Sequence, residues 1–255
     1  MTMLDDTLQK AAAIVRGVRK LTVLTGAGVS RESGIPTFRD ALEGLWAQFD
    51  PRDLATRDAF RTNPALVWQF YAQRLRGVHQ TQPNPGHYAL AALEKRFGSI
   101  PIITQNVDNL HEIAGSTQVI HLHGQINRHK CFNACKGEPT LIDIATLPDK
   151  EASPPRCPHC GSYVRPDVVW FGEMLPPDAV QAANDALNCD VLLVIGTSGA
   201  VYPAAEMPLI AMRHGAKVID VNPNESDAPW VPDVWIAAPS GEALPRLVEM
   251  LENPT

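Results

Sequence analysis

Six short apolar runs constrain this chain more than anything else in it: residues 21–25, 100–104, 118–122, 191–195, 217–221 and 234–237. Most are apolar throughout rather than alternating, as in Val191-Leu192-Leu193-Val194-Ile195. Such strands are stable where both faces of their sheet are covered. Helical apolar patterns over 4–18, 86–97, 179–187, 204–214 and 241–251 supply the cover. Strands alternating with helices predict an α/β fold, a Rossmann-like parallel sheet of about six strands with right-handed crossovers.

Two stretches break the alternation. Residues 35–84 carry no strand pattern and two helices, one over 66–77, and residues 125–165 hold four of the five cysteines among many Pro, Gly and charged positions. The expected division is a Rossmann-like domain of 1–34, 85–124 and 166–255, a helical insertion of 35–84 and a cysteine-bearing insertion of 125–165. With 45% hydrophobic and 20% charged residues, 255 residues build a packed core, which excludes a disordered chain. Twenty-two Lys and Arg against 28 Asp and Glu leave a net charge of −6, which argues against direct nucleic-acid binding. No apolar run reaches the ~18–20 residues that span a bilayer. The first residues, MTMLDDTLQK, lack the basic-then-apolar order of a signal peptide, so a cytoplasmic location and no membrane partner are expected.

In a reducing compartment, clustered cysteines point to a metal before disulfides. Cys157-Pro158-His159-Cys160 is a C-x-x-C pair, and Cys131 to Cys135 is a wider C-x-x-x-C pair. Together they fit a tetrahedral zinc ribbon with structural Zn2+. Four reduced structural cysteines are the other reading, and His129 or His159 are stand-in ligands. Cys189, just before a strand, reads as a small core residue.

The strand ends are polar. The first runs into Thr25-Gly26-Ala27-Gly28-Val29-Ser30, a turn that either presents backbone amides to phosphate or simply links strand to helix. The third glycine of a dinucleotide fingerprint is absent, since Arg31 stands there. The second ends in Thr104-Gln105-Asn106-Val107-Asp108-Asn109-Leu110-His111, costly to bury without partners. The third ends in His121-Leu122-His123-Gly124, whose two histidines share one strand face. The later ends carry Gly196-Thr197-Ser198 and Asp220-Val221-Asn222-Pro223. Ligands of open α/β sheets bind beyond the carboxyl ends of strands.

These stretches together resemble the sirtuin family of NAD-dependent protein lysine deacylases. The matching segments are GAGVSRESGIPTFRD (26–40), TQNVDNLH (104–111), HLHG (121–124), the cysteine cluster, VVWFGE (168–173), GTS (196–198), VYP (201–203) and VNP (221–223). The wide first cysteine pair departs from the family pattern. The resemblance implies an enzyme whose cosubstrate is NAD. Gly26, Ala27, Gly28, Ser30, Phe38 and Arg39 would line the pyrophosphate and ribose part of its site. Gln105, Asn106 and Asp108 would surround the nicotinamide and its ribose, and Gly196, Thr197, Ser198 and Asn222 the adenosine half. His123 matches the catalytic base, and Val168, Trp170, Phe171, Gly172 and Val201 would shape the acyl-lysine tunnel. Substrates would be acyl-lysine proteins or peptides, and products free lysine, nicotinamide and 2′-O-acyl-ADP-ribose. Tyr71 and Arg74, three residues apart on one helical face, resemble the acid-recognising pair of the bacterial desuccinylase and demalonylase branch, which also takes glutaryl groups. A plain deacetylase, a mono-ADP-ribosyltransferase and a non-catalytic NAD-binding scaffold are the alternatives.

Overall fold

The computed structural model describes residues 2–36, 49–50, 54–150, 152–225 and 228–253. In chain order the elements are α1 (Met3–Arg16), β1 (Leu21–Thr25), α2 (Gly28–Arg31), α3 (Arg57–Thr62), α4 (Pro64–His79) and α5 (Pro85–Phe97). Then come β2 (Ile102–Thr104), α6 (Leu110–Ala114), β3 (Val119–His121), β4 (Gly124–Cys131), β5 (Val164–Val168) and α7 (Pro177–Ala186). The chain closes with β6 (Val191–Ile195), α8 (Met207–Arg213), β7 (Lys217–Val221), β8 (Val234–Ile236) and α9 (Ser240–Glu252). They fall into two compact units, Met1–Thr37 with Gln82–Leu122 and Pro176–Thr255, and Phe38–Thr81 with His123–Leu175.

The first unit holds the expected six-stranded sheet, in the order β3-β2-β1-β6-β7-β8 and parallel throughout. One face is packed by apolar stripes of α1, α5 and α9. Leu8, Ala12, Leu90, Leu93, Leu244 and Leu247 meet Val23, Ile102, Leu193 and Ile219 in one core. Local chemistry sets the helix ends. Asn84 caps α5 by accepting from the amides of Gly86 and His87, with Pro85 in the first turn, and Gly98 ends it at φ +78°. The sheet order reverses between β1 and β6, the kind of place where α/β folds bind ligands. The helix expected over 204–214 is a 3-10 turn at Ala204–Glu206 followed by α8.

The second unit unites both insertions. Its strands β4 and β5 pair antiparallel, and neither was anticipated, because they carry buried charge. Arg165 on β5 is fully buried. It pairs with both carboxylate oxygens of Glu173, at 2.6 and 3.0 Å. Lys130 on β4 reaches Glu138 at 2.7 Å and Asp167 at 3.3 Å. The same network draws residues 166–175 here rather than into the Rossmann-like part, where they were expected. Glu173 also accepts from the Trp170 amide at 2.9 Å and from Arg57 at 3.1 Å. Among the described residues no helix is long and apolar enough to cross a membrane.

Candidate active site

The β1 turn is closed against the end of β6. A Cβ added to Gly28 would lie 2.7 Å from the Cα of Gly196, and one added to Gly196, at φ +59°, would lie 2.5 Å from the Val29 nitrogen. Only glycine permits that approach. The Gly26 amide donates to the Ile195 carbonyl at 3.0 Å and the Gly28 amide to Gly196 at 2.9 Å. These two amides therefore knit the turn and are not offered to a phosphate. What the glycines provide is the close approach of the turn to the end of β6. Phe38 and Arg39 lie outside the described residues.

Below the turn is a buried polar cluster. The Asn84 amide donates to His87 Nδ1 at 3.3 Å, so His87 Nε2 carries the proton and faces the Ser30 hydroxyl at 3.4 Å. Asn106 Nδ2 donates to the same hydroxyl at 3.0 Å, and Ser30 donates to Asp108 Oδ2 at 3.1 Å. Ser30 thus accepts twice and gives once, which fixes its hydrogen on Asp108. Burial pushes the Asp108 carboxyl up, opposed by the Leu110 amide, the Ser30 hydroxyl and the charge of His121. Burial pulls His87 down to about 4, and His111 well below its ordinary value, so both rings are neutral at pH 7. His111 Nε2 meets the Thr25 hydroxyl at 3.1 Å, and Thr25 donates to Thr104 at 2.8 Å. His87, absent from the sequence reading, is a full member of this cluster. Its one signal was its place in the first turn of a capped helix.

Gln105 is half-buried at the end of β2, its amide tied to the Thr25 carbonyl at 3.0 Å. At the ends of β6 and β7, Asn222 Nδ2 donates to the Thr197 carbonyl at 2.8 Å. Thr197 is buried and Ser198 exposed. The first unit thus brings together Gly26, Ala27, Gly28 and Ser30 with Gln105, Asn106 and Asp108 at the ends of β1 and β2. Gly196, Thr197, Ser198 and Asn222 lie at the ends of β6 and β7. Val201, 40% exposed, belongs to the same unit.

His123 is half-buried and belongs to the second unit, where its carbonyl accepts from the Val169 amide at 2.9 Å. That bond ties it to the VVWFGE segment. Val168 and Trp170 are buried, while Phe171 and Gly172 are exposed. Trp170 is held between the Arg165 guanidinium, 3.3 Å above its ring, and the rings of Phe60 and Tyr71 at 5.3 and 6.2 Å. Tyr71 and Arg74 share one face of α4. The buried Tyr71 phenol accepts from the Trp170 indole at 3.0 Å. Burial pushes its proton affinity up, and the positive charge of Arg74 opposes that rise. Arg74 also lies 5.6 Å over the Phe70 ring.

The four sulfurs of Cys131, Cys135, Cys157 and Cys160 lie within 4.8 Å of one another. Cys131 and Cys160 are 3.5 Å apart, and Cys135 and Cys157 3.8 Å. A tetrahedral zinc with Zn–S of about 2.3 Å sets sulfurs roughly 3.8 Å apart, so the donor set fits the ion. Within the wide pair, Ala134 turns the chain at φ +48° just before Cys135. His129 is not in the cluster. Its ring packs 5.5 Å from that of Trp68.

The sequence profile of the Sir2 family matches residues 26–203. A curated relative from Ralstonia nicotianae, named NAD-dependent protein deacylase, is 50% identical over 94% of this chain and 95% of its own length. NAD-dependent protein deacylase 1 of Pseudomonas aeruginosa is 47% identical over 94% and 98%. A crystal structure of a Sir2 homolog–NAD complex superposes with a TM-score of 0.87 at 42% identity, covering 96% of this chain and 93% of that one. A Sir2–p53 peptide–NAD+ structure gives 0.82 at 33%, covering 95% and 97%. With its closed glycine turn, its Ser30–Asn106–Asp108 cluster and its four-sulfur site, the chain belongs to the Sir2 family, the sirtuins.

Proposed function

We propose that this chain is an NAD-dependent protein lysine deacylase with a preference for acyl groups that end in a carboxylate: succinyl, malonyl and glutaryl before acetyl. The relatives named as NAD-dependent deacylases support the reaction class. The NAD complex and the peptide complex among similar structures support NAD as cosubstrate and an acyl-lysine peptide as acceptor. The residues suit a dinucleotide, because the glycine turn at the end of β1 lies where the sheet order reverses and the buried amide, hydroxyl and carboxyl of Asn106, Ser30 and Asp108 lie beside it. NAD, when bound, supplies an electrophilic ribose carbon and nicotinamide as leaving group.

The protein's share is orientation and proton handling. Asn106 and Asp108, held by Ser30, would offer a fixed polar surface to positive charge developing at the ribose. His123 would accept a proton from a ribose hydroxyl. Residues 168–172 would confine the acyl-lysine and align a weak nucleophile, the amide oxygen. The four cysteines would hold zinc as a closed structural site, since four protein ligands leave no position for water.

The acidic preference rests on the Tyr71–Arg74 face. A guanidinium gives a planar fork to a carboxylate, and the phenol adds a donor whose oxygen is already engaged by Trp170. A panel of acetyl-, malonyl-, succinyl- and glutaryl-lysine peptides with NAD, read by mass spectrometry, tests this. The preference requires the acidic peptides to turn over with higher kcat/KM. Equal rates on all four would leave a deacylase without it.

A further inference from the structure

We propose that His121 is a positioning residue: its imidazole, backed by Glu112, fixes the Asn106 peptide by hydrogen-bonding through both ring nitrogens. The inference rests on the deacylase reading, which puts Asn106 beside the reacting ribose.

His121 Nδ1 lies 3.3 Å from the Asn106 carbonyl oxygen, and Nε2 lies 2.6 Å from Glu112 Oε1. Both facing atoms are acceptors. A neutral imidazole carries a single N–H, so it would satisfy only one of them. Both contacts are hydrogen bonds when one proton sits on Nδ1 and a second lies between Nε2 and the Glu112 carboxyl. The His121 side chain is 8% exposed and that of Glu112 36%, so the inner end of the pair is shielded from water. The Asn106 residue is then held at three points. Its amide donates to Thr104 Oγ1 at 3.0 Å and its side chain to Ser30 at 3.0 Å, while its carbonyl accepts from His121. Those pins come from β2, α2 and β3. The His121 pin restrains the plane of the 106–107 peptide, and so the path from Asn106 to Asp108. His121 and His123 thus have separate jobs, although the strand pattern makes them equivalent.

Variants at Glu112 separate this role from general stability. In Glu112→Gln the amide N–H donates to Nε2 of a neutral ring, leaving Nδ1–H for Asn106, so the pin survives. In Glu112→Leu nothing holds the tautomer, and in His121→Phe the donor is gone. Nitrogen-15 NMR of the ligand-free protein should show two exchange-protected N–H protons on His121 in wild type, and one, on Nδ1, in Glu112→Gln. Nicotinamide release from NAD with a saturating acyl-peptide should have a kcat about tenfold lower in His121→Phe, the scale of one ordinary hydrogen bond. The KM for acyl-peptide should stay unchanged, Glu112→Gln should fall within about twofold of wild type, and Glu112→Leu should lie between. A single protected N–H in wild type overturns the proposal. So does Glu112→Gln as impaired as Glu112→Leu. Should wild type release no nicotinamide with any acyl-peptide, the deacylase reading fails, and the NMR signature alone then decides whether the clamp exists.

Discussion

The indole N–H of Trp170 donates to the phenol oxygen of Tyr71 over 3.0 Å, with both residues buried. An indole nitrogen only donates, so Tyr71 is the acceptor and its own O–H is left to point elsewhere. Trp170 is in turn pinned by Arg165 and by its amide on Glu173. The hydroxyl beside Arg74 is therefore preset as a donor before any substrate arrives.

On the proposed acidic preference, that preset would govern acyl choice. Charge-assisted hydrogen bonds contribute ~1.5–3 kcal/mol, or ~10–150-fold in kcat/KM. Desuccinylation should exceed deacetylation by a factor in that range. Arg74→Met should collapse the difference, chiefly through a higher KM for succinyl-peptide, and Tyr71→Phe should reduce it in part. An Arg74→Met enzyme that still prefers succinyl-lysine would refute the assignment.

For His123→Ala, turnover should fall by ~100-fold or more while NAD binding, measured by calorimetry, persists. In the proposed mechanism the base acts after the first complex forms, so its loss would appear in the rate. Wild-type turnover in the purified variant would remove His123 from the mechanism.

Elemental analysis of reduced protein should find one zinc per chain. Chelation should lower the melting temperature and deplete activity only as the second unit loosens, because Cys131 and Cys157 sit in its core with Ile142, Leu147 and Val164. Cys135→Ser should do the same without chelator. Metal-free protein of full stability would count against the site.

Asp220 on β7 is buried between the β6 and β8 partners Val194 and Trp235, with an oxygen that finds no hydrogen-bond partner among the described residues. Burial pushes its carboxyl up to about 7 from 3.8. The unfolded chain gives up this proton near pH 4, and the folded chain keeps it until about pH 7. The group's contribution to stability is therefore full below pH ~4 and lost as pH rises through ~7. Asp220→Asn should raise the melting temperature at pH 8 by roughly 5 °C relative to wild type, and by much less at pH 4.5. Equal shifts at both pH values would show that the charge is not the cause.

What was legible in the sequence was whatever depends on neighbours in sequence. β1, β6 and β7 match their apolar runs residue for residue, because a strand buried on both faces is mostly apolar and its few polar residues, such as Thr22 and Asp220, do not break the run. β4 and β5 were invisible for the opposite reason. Lys130, Arg165 and Asp167 read as surface, yet Glu138 and Asp167 neutralise Lys130, and Glu173 neutralises Arg165. The same holds in the site. Ser30, Asn106 and Asp108 stood out as polar strand ends, but the link to His87 joins a helix cap to a turn 57 residues away. The strand pattern makes His121 and His123 equivalent, and only the Glu112 carboxylate, 2.6 Å from His121 Nε2, tells them apart.

The contact of Gly28 with Gly196 also orders events in the making of each molecule. β1 is translated early and β6 late, and until β6 exists β1 has only β2 beside it. The nascent chain therefore emerges with half a nucleotide turn and nothing to close it. The turn is complete only once β6, at residues 191–195 of 255, has been made.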